Sequence, residues 1–307
     1  MLAGGDELLI RVATRGSRLA VIQASEVEDR LRRLGYSTRR VVVESHGDLD
    51  RTTPLYKMSV RGIFEKEVDR AVLDGEADIA VHSLKDVPYE LPDGLILGAV
   101  PKRGAPFDAV TPHPLYLIPP SSRVGTGSIR RMFTLKALRP DLEVEGVRGN
   151  IDTRLAKLGR GEFDALITAE VALRRLGVGG WFRLNPSFFV PSPGQGALGV
   201  TCRADPPQEL AKALRRIDHT RSRVEVEVER EIASKLEGGC TSPLGVYARH
   251  LSAGILEVKL SLVKSSGQLL RVSVRGSPQR VVAASTKAFE LRGGRLEVGY
   301  WRSQTTH

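Results

Sequence analysis

The feature that most constrains this chain is an alternation of strand-length apolar runs with amphipathic helical segments. Leu8 to Thr14 is the first such run. Ala20, Ala24, Val27, Leu31 and Leu34 then recur at spacings of 4, 3, 4 and 3, which places them on one helical face. Ser17 stands where a helix cap is needed and Gly35 where a helix closes. Thr38 to Val43 reads as the next strand. Phe64, Val68, Ala71 and Val72 mark a helix from Phe64 to Leu73, followed by strands at Ala77 to Val81 and Leu95 to Val100. This alternation predicts a largely parallel sheet with helices on its faces. Between the Thr38 to Val43 strand and the Phe64 helix, Ser45 to Gly62 lacks periodicity, and a loop that long inside a compact domain is functional or mobile.

The Pro- and Gly-containing stretch Pro101 to Pro120 marks a boundary, and a second α/β series follows. Its strands are expected at Asp108 to Thr111, Leu142 to Glu145 and Ala165 to Thr168, with helices beginning near Ser128, Asn150 and Ala169. Pro191, Pro193 and Gly194 precede a strand at Ala197 to Cys202 and a helix at Pro206 to Ile217. Val224 to Val228 alternates and fits a strand. It fits a helix equally, and that pattern continues through Ile232, Ala233 and Leu236 to a Gly-Gly stop, so a helix is expected. Gly245 to Arg275 reads as three strands, with a short helix from Val281 and a tail beyond Arg292. No internal sequence repeat is evident.

Length and composition narrow the function classes. A chain of 307 residues predicts two or three domains. No run approaches the roughly 18 apolar residues of a membrane span. Met1 to Glu7 carries two acids and no basic stretch, so it does not read as a signal peptide, and a cytoplasmic location is expected. Two cysteines exclude a disulfide framework and a Cys-rich metal site, and the six histidines form no HExxH pattern, so no metal is expected. The net charge is +10, and 35 of the 46 basic residues are arginine, whose planar fork suits carboxylate or phosphate. Base composition or a hot habitat is the other reading, supported by only two Asn residues. Nucleic-acid binding is disfavoured: aromatics are 5%, and the arginines gather at helix starts rather than in a stripe.

Four segments place Ser, Thr or Asn beside a cation where a helix or turn begins. They are Thr14-Arg15-Gly16-Ser17, Ser83-Leu84-Lys85-Asp86, Gly125-Thr126-Gly127-Ser128 with Arg130 and Arg131, and Arg148-Gly149-Asn150 with Arg154. Helix N-termini present unpaired N–H groups and partial positive charge, so together these segments suit a substrate with several carboxylates; simple capping with solvated arginines is the alternative. Asp86 follows a strand, where open α/β sheets bind ligands, and is placed either to stabilise a cationic intermediate or to pair with a neighbouring arginine. Cys240, between Gly238-Gly239 and Pro243, sits on a constrained loop suited to a nucleophile or a covalent attachment. Cys202 ends an apolar strand and reads as inert core.

The stretch Ala77-Asp-Ile-Ala-Val-His-Ser-Leu-Lys-Asp-Val-Pro88 resembles a signature of the porphobilinogen deaminase (hydroxymethylbilane synthase) family. Arg15-Gly-Ser-Arg-Leu-Ala20 with Gln23, Gly125 to Arg131, Val147 to Leu155, Pro193-Gly-Gln-Gly-Ala197 and Leu236-Glu-Gly-Gly-Cys240 resemble further family blocks in the family's order. The resemblance implies a transferase that joins four porphobilinogen molecules head to tail with loss of ammonia. It then releases hydroxymethylbilane by adding water. It implies a dipyrromethane cofactor held by a thioether at Cys240, and two catalytic residues, Lys85 and an Asp86 that binds pyrrole N–H groups and stabilises azafulvenium cations. Ser83, Lys85, Asp86, Thr126, Ser128, Arg130 and Arg131 match cofactor-binding positions. Arg15, Ser17, Gln23, Arg61, Phe64, Arg148, Asn150, Arg154 and Gln195 match substrate-binding ones.

The implied fold is α/β: two periplasmic-binding-protein-like domains around a cleft (residues 1–100 with 196–217, and 101–195) and a small α+β C-terminal domain (218–307) carrying the cysteine. The resemblance also implies a monomer whose substrate is porphobilinogen, with no nucleic-acid or membrane partner. Arg61 stands where the family often has Lys, Thr52 where an aspartate is common, and Glu170 in a block that is usually small or apolar. A non-catalytic binding protein of this fold would not need Cys240, and an inactive relative would be expected to lack Asp86 or Cys240.

Overall fold

Strand β1 (Leu9–Arg15) leads through Ser17 into α1 (Arg18–Arg33), whose cap is the Ser17 hydroxyl accepting from the Ala20 N–H at 3.4 Å. Gly35, at φ +89°, closes it in a conformation that glycine adopts without strain. Then follow β2 (Ser37–Val43), α2 (Ile63–Leu73), β3 (Ile79–Ser83), a single 3-10 turn (Leu84–Asp86) and β4 (Leu95–Ala99). The next series is β5 (Asp108–Thr111), β6 (Arg123–Thr126), α3 (Ile129–Leu138), β7 (Glu143–Gly146), α4 (Ile151–Gly159), β8 (Ala165–Ala169), α5 (Glu170–Arg175) and β9 (Phe182–Arg183). The chain continues with β10 (Leu198–Arg203), α6 (Gln208–Ile217), α7 (Thr220–Lys235), β11 (Gly245–Ser252), β12 (Ile255–Val263), β13 (Leu269–Gly276) and α8 (Pro278–Leu291). This computed structural model describes residues 8–43, 63–236, 242–252 and 254–296.

The contacts divide the chain into two compact units, Met1–Arg103 with Ala197–Arg223, and Gly104–Gly196 with Val224–His307. The first holds a sheet of order β2-β1-β3-β10-β4. Both faces of β1 are covered. Ile10 and Val12 pack with Ala24, Val27 and Leu31 of α1 and Leu210, Ala213 and Leu214 of α6, while Ala13 packs with Val68, Ala71 and Val72 of α2. Leu31, Ile79 and Val12 are wholly buried, each burial stabilising the fold by about 1.5–3 kcal/mol.

The sheet is largely parallel, as expected, with one strand reversed. β1 runs parallel to β2 and β3, but β10 runs antiparallel to both β3 and β4. β10 arrives from far along the chain and not through a consecutive crossover, so the rule that makes successive βαβ strands parallel does not govern it.

The second unit holds a sheet of order β7-β6-β8-β5-β9 on the same plan. Three parallel strands are joined by an antiparallel one, β5, which also pairs with the short edge strand β9. The chain thus has a topological duplication without a sequence repeat. Neither β6 nor β9 was expected, since one is four residues with an internal glycine and the other two residues long. The antiparallel meander β11-β12-β13 belongs to the same unit, with Leu256, Val258, Leu260 and Leu262 buried, as are Val281, Val282 and Phe289 of α8. The ambiguous stretch from Val224 is helical, with Val226, Val228, Ile232 and Ala233 buried.

Candidate active site

In the first unit, β1 and β3 are parallel neighbours paired through Val12 with Ile79 and Ala13 with Ala80. Their carboxyl ends therefore open on the same sheet edge, where α/β folds bind ligands. The chain leaves β1 through Arg15, Gly16 and Ser17 and leaves β3 through Ser83 and the Leu84–Asp86 turn. Buried Gln23 of α1 donates from Nε2 to the Ser83 hydroxyl at 2.7 Å. The Leu84 N–H donates to the Ala197 carbonyl at 3.0 Å and seats the turn at the start of β10. Asp86 is exposed, and Arg15, Ser17 and Lys85 are half-buried.

Beneath this edge lies a polar group that the sequence reading missed. The Thr201 hydroxyl donates to Asp69 Oδ1 at 2.7 Å, and His82 Nε2 stands 2.9 Å from the same oxygen, all three side chains being buried. These residues lie 13 and 119 or more positions apart in sequence, so no local motif marks them.

In the second unit, the Ser128 hydroxyl caps α3 by accepting from the Arg131 N–H at 3.5 Å, and buried Thr126 accepts at Oγ1 from the Ser128 N–H at 3.4 Å. The Arg154 guanidinium lies over Gly127, so close that a Cβ there would come within 2.6 Å of Nη1. Arg154 Nε donates to the Gly149 carbonyl at 2.8 Å, and Gly149 has φ +98°, a conformation that favours glycine. Asn150 stands at the start of α4 without a side-chain capping bond, beside half-buried Arg148. The structure thus brings Thr126, Ser128 and Arg154 to one place, with Arg148 and Asn150 at its margin.

Arg130, Arg131 and Gln195 converge on Asp108, which the sequence reading also missed. Arg130 donates to Asp108 from Nη1 at 2.7 Å and Nη2 at 3.1 Å, Arg131 from Nε at 2.8 Å and Gln195 from Nε2 at 2.9 Å. Arg131 also donates from Nη2 to Gln195 Oε1 at 2.9 Å. Arg130 is 1% exposed, and its further donors reach the Val190 carbonyl and the Ser192 hydroxyl. Burial works to raise the Asp108 carboxyl, but the charges of Arg130 and Arg131 outweigh it and hold the group well below the usual carboxylate range. A local signal did exist: α3 has two arginines and no acid in its first turn, where the helix dipole favours negative charge.

Arg61, Cys240, Thr52 and the whole of the 45–62 loop lie outside the described residues, as do residues 297–307 and the Phe64 side chain, although Phe64 itself is in α2. Glu170 is fully buried and accepts from Arg174 and Arg183 at 2.7 and 2.6 Å. Cys202 is buried in the first core, and burial pushes its thiol up to about 11.

A lysine, an arginine and hydroxyls at the first unit's sheet edge, and guanidiniums, hydroxyls and helix-start N–H groups in the second unit, are each a donor set suited to carboxylates. They therefore fit a polyanionic pyrrole cofactor of the kind the family blocks imply.

Residues 10–211 match the family model "Porphobilinogen deaminase, dipyromethane cofactor binding domain", and residues 223–291 match "Porphobilinogen deaminase, C-terminal domain". A porphobilinogen deaminase of Nitratidesulfovibrio vulgaris is 45% identical over 244 residues, 77% of each chain. A probable porphobilinogen deaminase of Methanopyrus kandleri is 44% identical over 89% of this chain and 94% of its own. The porphobilinogen deaminase of Albidiferax ferrireducens is 41% identical over 92% of this chain and 91% of its own. Among solved structures, an ancestral cationic amino acid solute binding protein aligns with a TM-score of 0.43 at 14% identity, over 68% of this chain and 88% of that one. With both family models matched in order and relatives above 40% identity over most of its length, the chain belongs to the porphobilinogen deaminase family.

Proposed function

We propose that this chain condenses four porphobilinogen molecules head to tail with loss of ammonia and releases hydroxymethylbilane by adding water, in porphyrin and haem biosynthesis. The observation that carries the reading is the match of the cofactor-binding model across residues 10–211 together with the presence of Asp86 and Cys240. When bound through a thioether at Cys240, the dipyrromethane supplies the anchored pyrrole end on which the chain of units is built.

The protein's own residues have separable tasks in this proposal. The Asp86 carboxylate accepts hydrogen bonds from pyrrole N–H groups and offsets positive charge developing on the substrate as ammonia leaves. Lys85, beside it, binds a substrate or cofactor carboxylate, and Ser83, held by Gln23, fixes the turn that carries both. Arg15 and Ser17 receive carboxylates at the same sheet edge. Thr126, Ser128, Arg131, Arg148, Asn150, Arg154 and Gln195 do so in the second unit, and Arg61 and Phe64 complete the substrate set. Arg130 belongs with the cofactor-binding group through the pairing that fixes Arg131.

A monomer acting in the cytoplasm is proposed with it; the cytoplasmic location is supported by a chain of two cysteines with no disulfide framework. No helix among the described residues is long and apolar enough to cross a membrane.

Intact mass of the purified protein and of a Cys240→Ser variant tests the reading. An added mass of two linked pyrrole units is expected in the first and not in the second. A wild type that stays at bare chain mass after incubation with porphobilinogen, and releases no ammonia, would sink it.

A further inference from the structure

A helix that begins with two arginines is locally ill-made. The first turn carries the positive end of the helix dipole, where acids stabilise and cations do not. α3 nonetheless places Arg130 and Arg131 there, buries both and includes no acid of its own. A local rule broken inside an otherwise consistent fold marks a functional position. The compensating charge comes from elsewhere: Asp108, at the start of β5 and wholly buried, accepts from both guanidiniums and from the Gln195 amide. Gln195 is held in turn by its bond to the Pro106 carbonyl at 2.6 Å and by Arg131. One carboxylate therefore clamps the first turn of α3 to the segment around Gln195.

We propose that Asp108 is a positioning residue for the family's reaction, setting the α3 first turn, with Ser128 and Arg131, and the Gln195 side chain in the arrangement that receives a cofactor or substrate carboxylate. Arg130, whose donors point to Asp108, Val190 and Ser192, is the inner brace of that arrangement. The proposal rests on the functional reading above and adds to it a residue that touches neither substrate nor cofactor. Without the Asp108 charge, two buried guanidiniums lose their common anchor, and Arg131 and Gln195 lose their fixed geometry.

Asp108→Asn keeps the side-chain shape and removes the charge. Asp108→Glu keeps the charge and moves it by one methylene. Leu142→Ala, a core truncation in the same unit, serves as a control for destabilisation alone. Each protein is incubated with porphobilinogen, and three quantities are read: the cofactor-loaded fraction by intact mass, the melting temperature, and KM and kcat of the loaded fraction.

For Asp108→Asn the loaded fraction is expected to fall at least about threefold, and KM to rise about tenfold with kcat changed less than about twofold, the split expected when binding geometry is lost. Asp108→Glu should show the same split more weakly, and Leu142→Ala should melt lower with loading and KM unchanged. Wild-type loading and KM in Asp108→Asn, or equal losses in Leu142→Ala, overturn the proposal. If Asp108→Asn is insoluble, a wild-type KM in Asp108→Glu overturns it instead. A wild type that gains no mass sinks the functional reading, a different outcome from a loaded wild type beside a fully loaded Asp108→Asn.

Discussion

The side-chain amide of Gln23 donates a 2.7 Å hydrogen bond to the hydroxyl of Ser83, joining α1 to the turn that carries Lys85 and Asp86. Gln23 is 5% exposed, so its partner is not readily replaced by water. Gln23→Leu removes the donor at similar volume. Urea unfolding should show a loss of about 1 kcal/mol. Steady-state kinetics should show kcat/KM lowered about tenfold, because the turn holding Asp86 loses its tie. Unchanged kinetics with lowered stability would reduce the bond to a structural one.

Gly127 meets the far end of a flexible side chain and not backbone, with Arg154 Nη1 2.6 Å from where a Cβ would stand. Gly127→Ala should therefore fold with little loss, since Arg154 can swing aside. The displaced guanidinium should raise KM for porphobilinogen by about fivefold to tenfold with kcat nearly kept. A melting temperature close to wild type beside a raised KM is the expected pair of results.

Glu170 tests a pH dependence. Burial works to raise its carboxyl, but hydrogen bonds from Arg183 and Arg174 outweigh this, and the net shift is downward from an ordinary value of 4.5. A carboxyl lowered on folding contributes stability that is fully present above its unfolded value and is lost as pH falls through its folded one. Glu170→Gln should destabilise by about 1–3 kcal/mol at pH 7. That gap should close as the pH drops below 4.5. Denaturant midpoints of both proteins across pH 3 to 8 would check the sign, and a gap that widens in acid would contradict it.

Cys202 is wholly buried and its thiol is raised to about 11, so it offers almost no thiolate at neutral pH. Iodoacetamide at pH 8 should leave it unmodified in the folded protein and alkylate it after denaturation in guanidinium. Peptide mass mapping distinguishes it from Cys240. Rapid native labelling of Cys202 would show that the first core opens locally.

Helix positions, caps and the order of all but two short strands were readable because their causes lie within a few residues. The spacing of Ala20 to Leu34, the Ser17 cap and the Gly35 stop need only 3.6-residue geometry and local hydrogen bonds. Ser128 was legible for the same reason, and the family blocks around Asp86 and Cys240 are contiguous strings. What stayed hidden depends on partners far apart in the chain. The antiparallel course of β10 is set by pairing with Ser83 to Ile79, more than a hundred residues earlier. Asp108 reads in sequence as an ordinary acid at a strand start. Only folding brings Arg130, 22 positions away, and Gln195, 87 positions away, onto its two oxygens. The physical reason is that backbone preference and amphipathic period act over one or two turns. The pairing of buried charges is decided by which groups the packed core removes from water together.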